Sequence, residues 1–243
     1  MNCRTVNFYE ADYSIRSIQS EEDRLQAYRL RHLIFSEMLG WVPPSPTGLE
    51  IDRYDQAAKT VGLFADSGKI SGLVRLVTSD QPYMLETEFA ELLVPGHHLR
   101  KEADTVEISR LAVVPADKHN GPIPGHLALI LKGLYQWCLA NGIRYAYMEV
   151  EKRFWRTLRI LGFPCEPIGP IKKLPPAGAE SVAAILDWEV FRSQNRIKRP
   201  LFLEWITTVQ STAAPWLEQW HGPESRPVVL QEYSEHEISQ SVH

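Results

Sequence analysis

Cysteine is scarce in this chain. Cys3, Cys138 and Cys165 lie far apart with no C-x-x-C pair, which excludes a disulfide scaffold or a zinc knuckle and makes a reducing cytoplasm the expected compartment. Net positive charge is also missing. Twenty-six Lys and Arg stand against thirty Asp and Glu, a net charge of −4, so no global field exists to hold a nucleic-acid backbone and no nucleic-acid partner is expected. The longest strongly apolar run, Leu127 to Leu131, falls far short of the roughly 18 residues that span a bilayer. The opening MNCRTVNFYEADYS has no basic-then-apolar secretory pattern, so neither a membrane span nor export is expected. The eight histidines form no H-E-x-x-H pattern and the His97-His98 pair has no ligand partner at metal spacing; no metal is expected. Repeats and heptads are absent.

What is present reads as a globular protein: 44% of the 243 residues are hydrophobic and 23% charged. Ser20 followed by Asp23 starts a helix expected over Glu21 to Leu39, with Leu25, Tyr28, His32, Phe35 and Leu39 on one face and Gly40 as the stop. A loop with a carboxylate cluster, Gly48 to Asp55, follows and is expected to be exposed. KTVGLFAD and ISGLVRLVT then read as a hairpin around Asp66-Ser-Gly68-Lys. Thr105 to Val114 reads as a buried strand, Gly125 to Asn141 as a long helix, 144–150 as a strand, 151–161 as a short helix, and 181–187 as a last strand before a helix interrupted by Pro200. The order implies one α/β domain over residues 1–206 built on a mixed sheet. Residues 207–243 are rich in Ser, Thr, Pro, Gln and Glu and are expected to be largely mobile, although Pro215 to Trp220 carries two indoles suited to docking on the body.

Charged residues set within apolar segments mark where chemistry is concentrated: Arg31, Asp52, Asp55, Arg75, Glu107 and Arg110. Buried charges persist only when paired, and alternation places the Arg75 guanidinium on a sheet face where carboxylates are its natural bidentate partners. A structural ion-pair network explains any one of them; the set taken together points to a site. In a regular strand Glu107 and Ser109 share a face and Arg110 takes the other, an assignment that a bulge would change. On that geometry Arg110 orders the carboxylate cluster or the substrate loop rather than touching the thioester, and Ser109, without a His in a triad pattern, helps through its hydroxyl and not as a nucleophile.

The spacing Arg31-x3-Phe35-x5-Trp41, Glu50-x-Asp52-x-Tyr54-Asp55, Arg75, Pro82-Tyr-Met-Leu85-x3-Phe89 and Glu107-Ile-Ser109-Arg110 resembles the LuxI-type acyl-homoserine-lactone synthases over roughly residues 25–115. The resemblance implies a GNAT-like acyltransferase fold: a mixed twisted sheet flanked by helices, with a V-shaped donor cleft. It implies that an acyl chain passes from acyl carrier protein, or acyl-CoA, to the amine of S-adenosylmethionine, which then lactonises and releases methylthioadenosine. S-adenosylmethionine is a substrate, and no cofactor is implied. Its cations need aromatic faces or anions and its carboxylate a guanidinium, which Arg31, Phe35, Trp41, Asp52, Asp55, Arg75 and Phe89 are of the types to supply. Glu107 is the candidate base for the amine, with Ser109 and Arg110 beside it in the catalytic segment.

Other N-acyltransferases of this scaffold, the N-acyl amino acid synthases and the exosortase-associated enzymes, share the Glu-x-Asp-x-x-Asp and Glu-x-Ser-Arg elements; Trp41 and Pro82 to Leu85 favour the lactone synthases. A catalytically dead acyl-binding module is the reading from another class, and the intact Glu107, Asp52 and Asp55 argue against it. The stretch Lys118 to Gly125 lacks the Gln/Arg-x-x-Gly-x-Gly pattern of coenzyme A users, and Pro122 and Pro124 each remove an amide donor, which favours a carrier-protein donor; His119 and His126 flank this loop and are expected as surface or capping residues. Lys152, Arg153, Arg156 and Arg159 form a basic helical face suited to docking an acidic carrier protein. Met148, Phe154, Trp155 and Leu158 either line an acyl tunnel or pack the core.

Overall fold

The computed structural model describes residues 3–10, 12–114 and 125–209. Its strands and helices run β1 (Asn7–Glu10), β2 (Tyr13–Ser17), α1 (Glu21–Arg31), β3 (Lys59–Ala65), β4 (Ile70–Thr78), β5 (Thr105–Val113), α2 (Gly125–Ala140), β6 (Tyr145–Glu151), α3 (Lys152–Ile160), β7 (Glu166–Pro167), β8 (Lys172–Leu174), β9 (Ala179–Asp187), α4 (Trp188–Lys198) and α5 (Pro200–Thr207). Among the described residues the strands form one sheet in the order β1-β2-β3-β4-β5-β6-β9-β7, with β8 also paired to β9. Its ladders are antiparallel except β5 with β6, the pair that α2 connects, as a parallel neighbour requires.

Sheet alternation divides the strands into two faces. Val74, Leu76, Val106, Ile108, Ala146, Met148, Val182 and Ala184 turn toward α2 and form the main core with Leu127, Ile130, Leu131 and Leu134. Removing Ile130 or Leu134 from water contributes about 1.5–3 kcal/mol each. Helix α2 lies so close to the sheet that a Cβ on Gly133 would stand 2.5 Å from Ile15, so only glycine fits there. The opposite face carries Arg75, Val77, Glu107, Tyr147 and Ala183, covered by Tyr54 and by the Tyr83–Leu85 turn.

The middle of the sheet opens. β5 pairs with β6 from Thr105↔Tyr145 to Ile108↔Met148 and no further, while β5 continues along β4 to Val113 and β6 continues along β9 to Glu151. The two strands therefore part after Ile108 and Met148, which makes the V-shaped cleft expected of the fold.

Three details differ from the sequence reading. The first helix is α-helical only to Arg31 and continues over His32–Met38 as a π-helix. The Phe35 carbonyl accepts from both Trp41 (2.8 Å) and Val42 (3.2 Å), a widened turn of the kind often found at functional sites. The β1–β2 hairpin was not foreseen, because its buried Glu10 breaks the apolar pattern. His126, expected at the surface or as a cap, is buried and joins Tyr13 Oη (2.8 Å) to the Val114 carbonyl (3.1 Å). His119, Pro122 and Pro124 of the donor loop, and the tail beyond residue 209, lie outside the described residues.

Candidate active site

The Gly48–Asp55 loop is not the exposed loop expected: Glu50 and Tyr54 are buried against the sheet, and the loop folds on itself. Asp55 Oδ2 accepts from the Asp52 amide (2.7 Å), and Asp52 Oδ1 accepts from the Tyr54 amide (2.9 Å), an Asx-type turn that aims both carboxylates inward. Three guanidiniums meet them there. Arg31 donates to Glu50 and grips Asp55 bidentately, Nη1 to Oδ1 at 2.5 Å and Nη2 to Oδ2 at 3.1 Å. Arg75, 0% exposed, donates to Asp52 (2.6 Å), Asp55 (2.9 Å) and Ser109 Oγ (3.0 Å). Arg110 donates to Glu50 (2.9 Å) and Asp52 (3.1 Å).

Arg110 joins this network because the strand is not regular. Leu73 faces Ala112 while Arg75 faces Ser109, so β5 holds one extra residue, and Arg110 takes φ 50°, a left-handed conformation costly for a non-glycine residue. The bulge corrects the expectation that Arg110 points away from the Glu107–Ser109 face: it shares Asp52 with Arg75 and also reaches Glu50. Its role in ordering the carboxylate cluster is what these contacts describe. Ser109 Oγ accepts from Arg75 Nε (3.0 Å).

Burial alone would raise the Asp55 and Glu50 carboxyls. At Asp55 the Arg31 hydrogen bonds and the Arg31 and Arg75 charges reverse this, and at Glu50 the Arg110 and Arg31 contacts do so, holding both below the usual range. Glu107 behaves oppositely. It is 1% exposed beneath the Met84–Glu86 turn, where burial pushes it up to about 7 although it accepts from the Met84 (2.6 Å) and Leu85 (2.9 Å) amides.

The aromatic residues divide. Phe35 stacks on Trp41 with centroids 6.1 Å apart, and the Arg110 guanidinium lies 5.6 Å over Phe35, so this pair borders the network. Phe89 packs instead against the cluster of Tyr54, Tyr83, Met84 and Leu85, where Arg75 Nη2 donates to Met84 Sδ (3.3 Å). The proposed donor residues belong to the opposite face. Met148 and Leu158 are buried in the main core, and Phe154 and Trp155 pack against it, although Met148 stands where the strands part. On α3, Arg153, Arg156 and Arg159 are exposed, whereas Lys152 is paired with Glu180 at 2.8 Å.

Sequence reasoning passed over two carboxylates. Glu50 stood in the quoted pattern but was given no role, and it pairs with both Arg31 and Arg110. Glu149 reads as an ordinary outward residue of a strand; it lies at the parting of β5 and β6. Among the described residues no group of His, Cys, Asp and Glu is arranged to hold a metal ion, and no helix is long and apolar enough to cross a membrane.

A mixed sheet whose central parallel pair parts beside a buried set of paired charges is the architecture of a GNAT-like acyltransferase. Comparison with known proteins narrows the class. The autoinducer synthase family model matches residues 16–191. The acyl-homoserine-lactone synthase of Aeromonas salmonicida is 32% identical over 149 residues, covering 59% of this chain and 70% of that protein. Among solved structures, the AHL synthase LasI aligns with a TM-score of 0.63 at 21% identity, over 76% of this chain and 91% of its own. BjaI, described as a CoA-dependent acyl-homoserine lactone synthase with MTA, aligns at 0.65 and 20% identity, over 88% of this chain and 100% of its own. The chain belongs to the autoinducer synthase family and is an acyltransferase.

Proposed function

We propose that this enzyme joins an acyl chain to S-adenosylmethionine, closes the product to an acyl-homoserine lactone and releases methylthioadenosine, making a quorum-sensing signal. The observation that carries this reading is the meeting of the Arg31–Arg75–Arg110 and Glu50–Asp52–Asp55 network with the stacked Phe35–Trp41 pair on the Glu107 face of an open β5–β6 cleft. Those groups match a ligand that carries a carboxylate and two cations beside a flat base. Asp52, whose side chain is 21% exposed, is the network carboxylate with most access to a ligand.

Acyl transfer needs a neutral amine. Glu107, near 7, is poised to take its proton directly or through water, since each of its oxygens keeps a lone pair beyond the backbone amides it accepts. The nitrogen then bonds to the thioester carbonyl carbon and the thiol leaves. In the second step the methionyl carboxylate attacks its own γ-carbon, the C–S bond breaks, and sulfur departs as a neutral thioether. That step needs a folded substrate more than it needs an acid, and a tight aromatic pocket provides the orientation. The thioester arm enters where β5 and β6 part, and its acyl chain turns to the Met148 side of the sheet, toward Leu158.

Carrier protein is the proposed donor, docked on Arg153, Arg156 and Arg159 of α3 beside Lys152. Mass spectrometry of reactions that combine S-adenosylmethionine with a panel of carrier-protein and coenzyme A thioesters tests the reading. Lactone and methylthioadenosine in equal amounts are expected. Acylated free amino acid without methylthioadenosine would place the enzyme with the N-acyl amino acid synthases instead.

A further inference from the structure

The charges of the site balance before any ligand arrives. Arg31, Arg75 and Arg110 are matched by Glu50, Asp52 and Asp55 in direct ion pairs. S-adenosylmethionine brings a sulfonium, an ammonium and one carboxylate, hence one net positive charge, and a network already neutral gives that charge little net attraction. Glu107 is screened by the Met84 and Leu85 amides.

Glu149 is the carboxylate that remains. It is the first residue of β6 past the last rung shared with β5. Its neighbours Met148 and Val150 both enter the main core, so alternation turns Glu149 to the site face, in register with Ala183 of the group under Tyr54 and Met84. The Ser181 hydroxyl of β9 donates to it, the Arg110 guanidinium of β5 lies near it, and Glu151 of its own strand adds negative charge. Arg110 is already committed to Glu50 and Asp52, and among the described residues no Lys, Arg or His forms an ion pair with Glu149. Glu149 is half-buried, not sealed in the core as Met148 and Val150 are. Burial raises its pKa, as it does for a carboxylate lacking a close cation of its own.

We propose that Glu149 receives the α-ammonium of S-adenosylmethionine at the mouth of the parted strands and thereby selects an amine-bearing ligand. The assignment rests on the synthase reading above. It places the nitrogen beside the path of a thioester threaded between β5 and β6, with the ammonium supplying the cation that Glu149 lacks and Ser181 keeping the carboxylate oriented.

Calorimetry with two ligands separates this role from a structural one, because methylthioadenosine shares the nucleoside but has neither ammonium nor carboxylate. Glu149→Gln is expected to weaken S-adenosylmethionine about 10- to 100-fold, the usual worth of a hydrogen bond to a charged group, while methylthioadenosine affinity stays within about twofold. The loss should appear more in KM than in kcat, and Glu149→Asp should recover part of the affinity. Unchanged affinity for S-adenosylmethionine, or equal weakening of both ligands, would overturn the assignment. So would a fall in kcat at constant KM, which would make Glu149 a proton acceptor rather than an anchor. Failure of the wild-type enzyme to bind either ligand would overturn the synthase reading and this inference with it.

Discussion

Two sets of buried charge lie on opposite faces of the same sheet. On the core face Lys132, 0% exposed, donates to Glu10 at 2.5 Å, and Trp205 Nε1 donates to the other Glu10 oxygen at 3.0 Å. This pair ties α2 to β1 and α5 in a closed setting. On the site face three guanidiniums and three carboxylates share several contacts each, Asp52 keeps partial exposure, and the strands beside them part. Burial of charge is common to both. Access, shared partners and an adjacent opening distinguish a site from a staple.

The largest effect that sharpens this contrast is expected at Glu107. Glu107→Gln should lower turnover about 100- to 10,000-fold with S-adenosylmethionine binding retained, as steady-state kinetics and calorimetry on one preparation would show. On the core face, Lys132→Met should lower unfolding free energy in urea by about 3–5 kcal/mol, because Glu10 is left buried without its cation, while turnover per folded molecule is unchanged. Adding Glu10→Leu should restore most of that stability. Arg75→Met should lose both stability and turnover, since the same guanidinium supports Asp52 and Asp55; stability loss without loss of activity would erase the distinction between the faces.

A smaller effect is expected from pH. Glu107 is raised from 4.5 to about 7 in the fold, so the folded protein holds a proton that the unfolded chain releases. The resulting stability is present in full below about 4.5 and lost as pH rises through about 7, a change of roughly 3 kcal/mol. Glu50 and Asp55 act with the opposite sign: lowered in the fold, they stabilise above their unfolded values and lose that contribution as pH falls through their folded ones. Urea midpoints measured from pH 5 to pH 8 should fall for wild type and flatten for Glu107→Gln. The smallest effect is expected on α3, where joint Arg153→Glu and Arg156→Glu substitution should slow carrier-protein reactions several-fold at low salt and spare those with acyl-CoA.

Much of the scaffold was legible because it rests on strong periodicity. Ile70–Thr78, Thr105–Val113 and Gly125–Ala140 fall where alternation or helical spacing placed them, and the demand that a mid-strand Arg75 find carboxylates was met by Asp52 and Asp55. What escaped was geometry that pattern does not encode. An extra residue in β5 leaves the sequence Ser109-Arg110-Leu111 unremarkable yet swings Arg110 into the network. The π-helical turn over His32–Met38 keeps nearly the same apolar spacing as an α-helix, but it brings the Trp41 and Val42 amides back to the Phe35 carbonyl. Glu149 was overlooked because the end of the β5–β6 ladder is a property of two distant strands, and RYAYMEV alone reads as a regular strand with an outward glutamate.

The most direct test of the contrast between the two faces is a calorimetric titration of S-adenosylmethionine into Asp52→Asn and Lys132→Met, each verified as folded. Affinity should fall at least about tenfold in Asp52→Asn and match wild type in Lys132→Met. Equal affinity in the two variants would contradict the assignment of the site-face network as the substrate site.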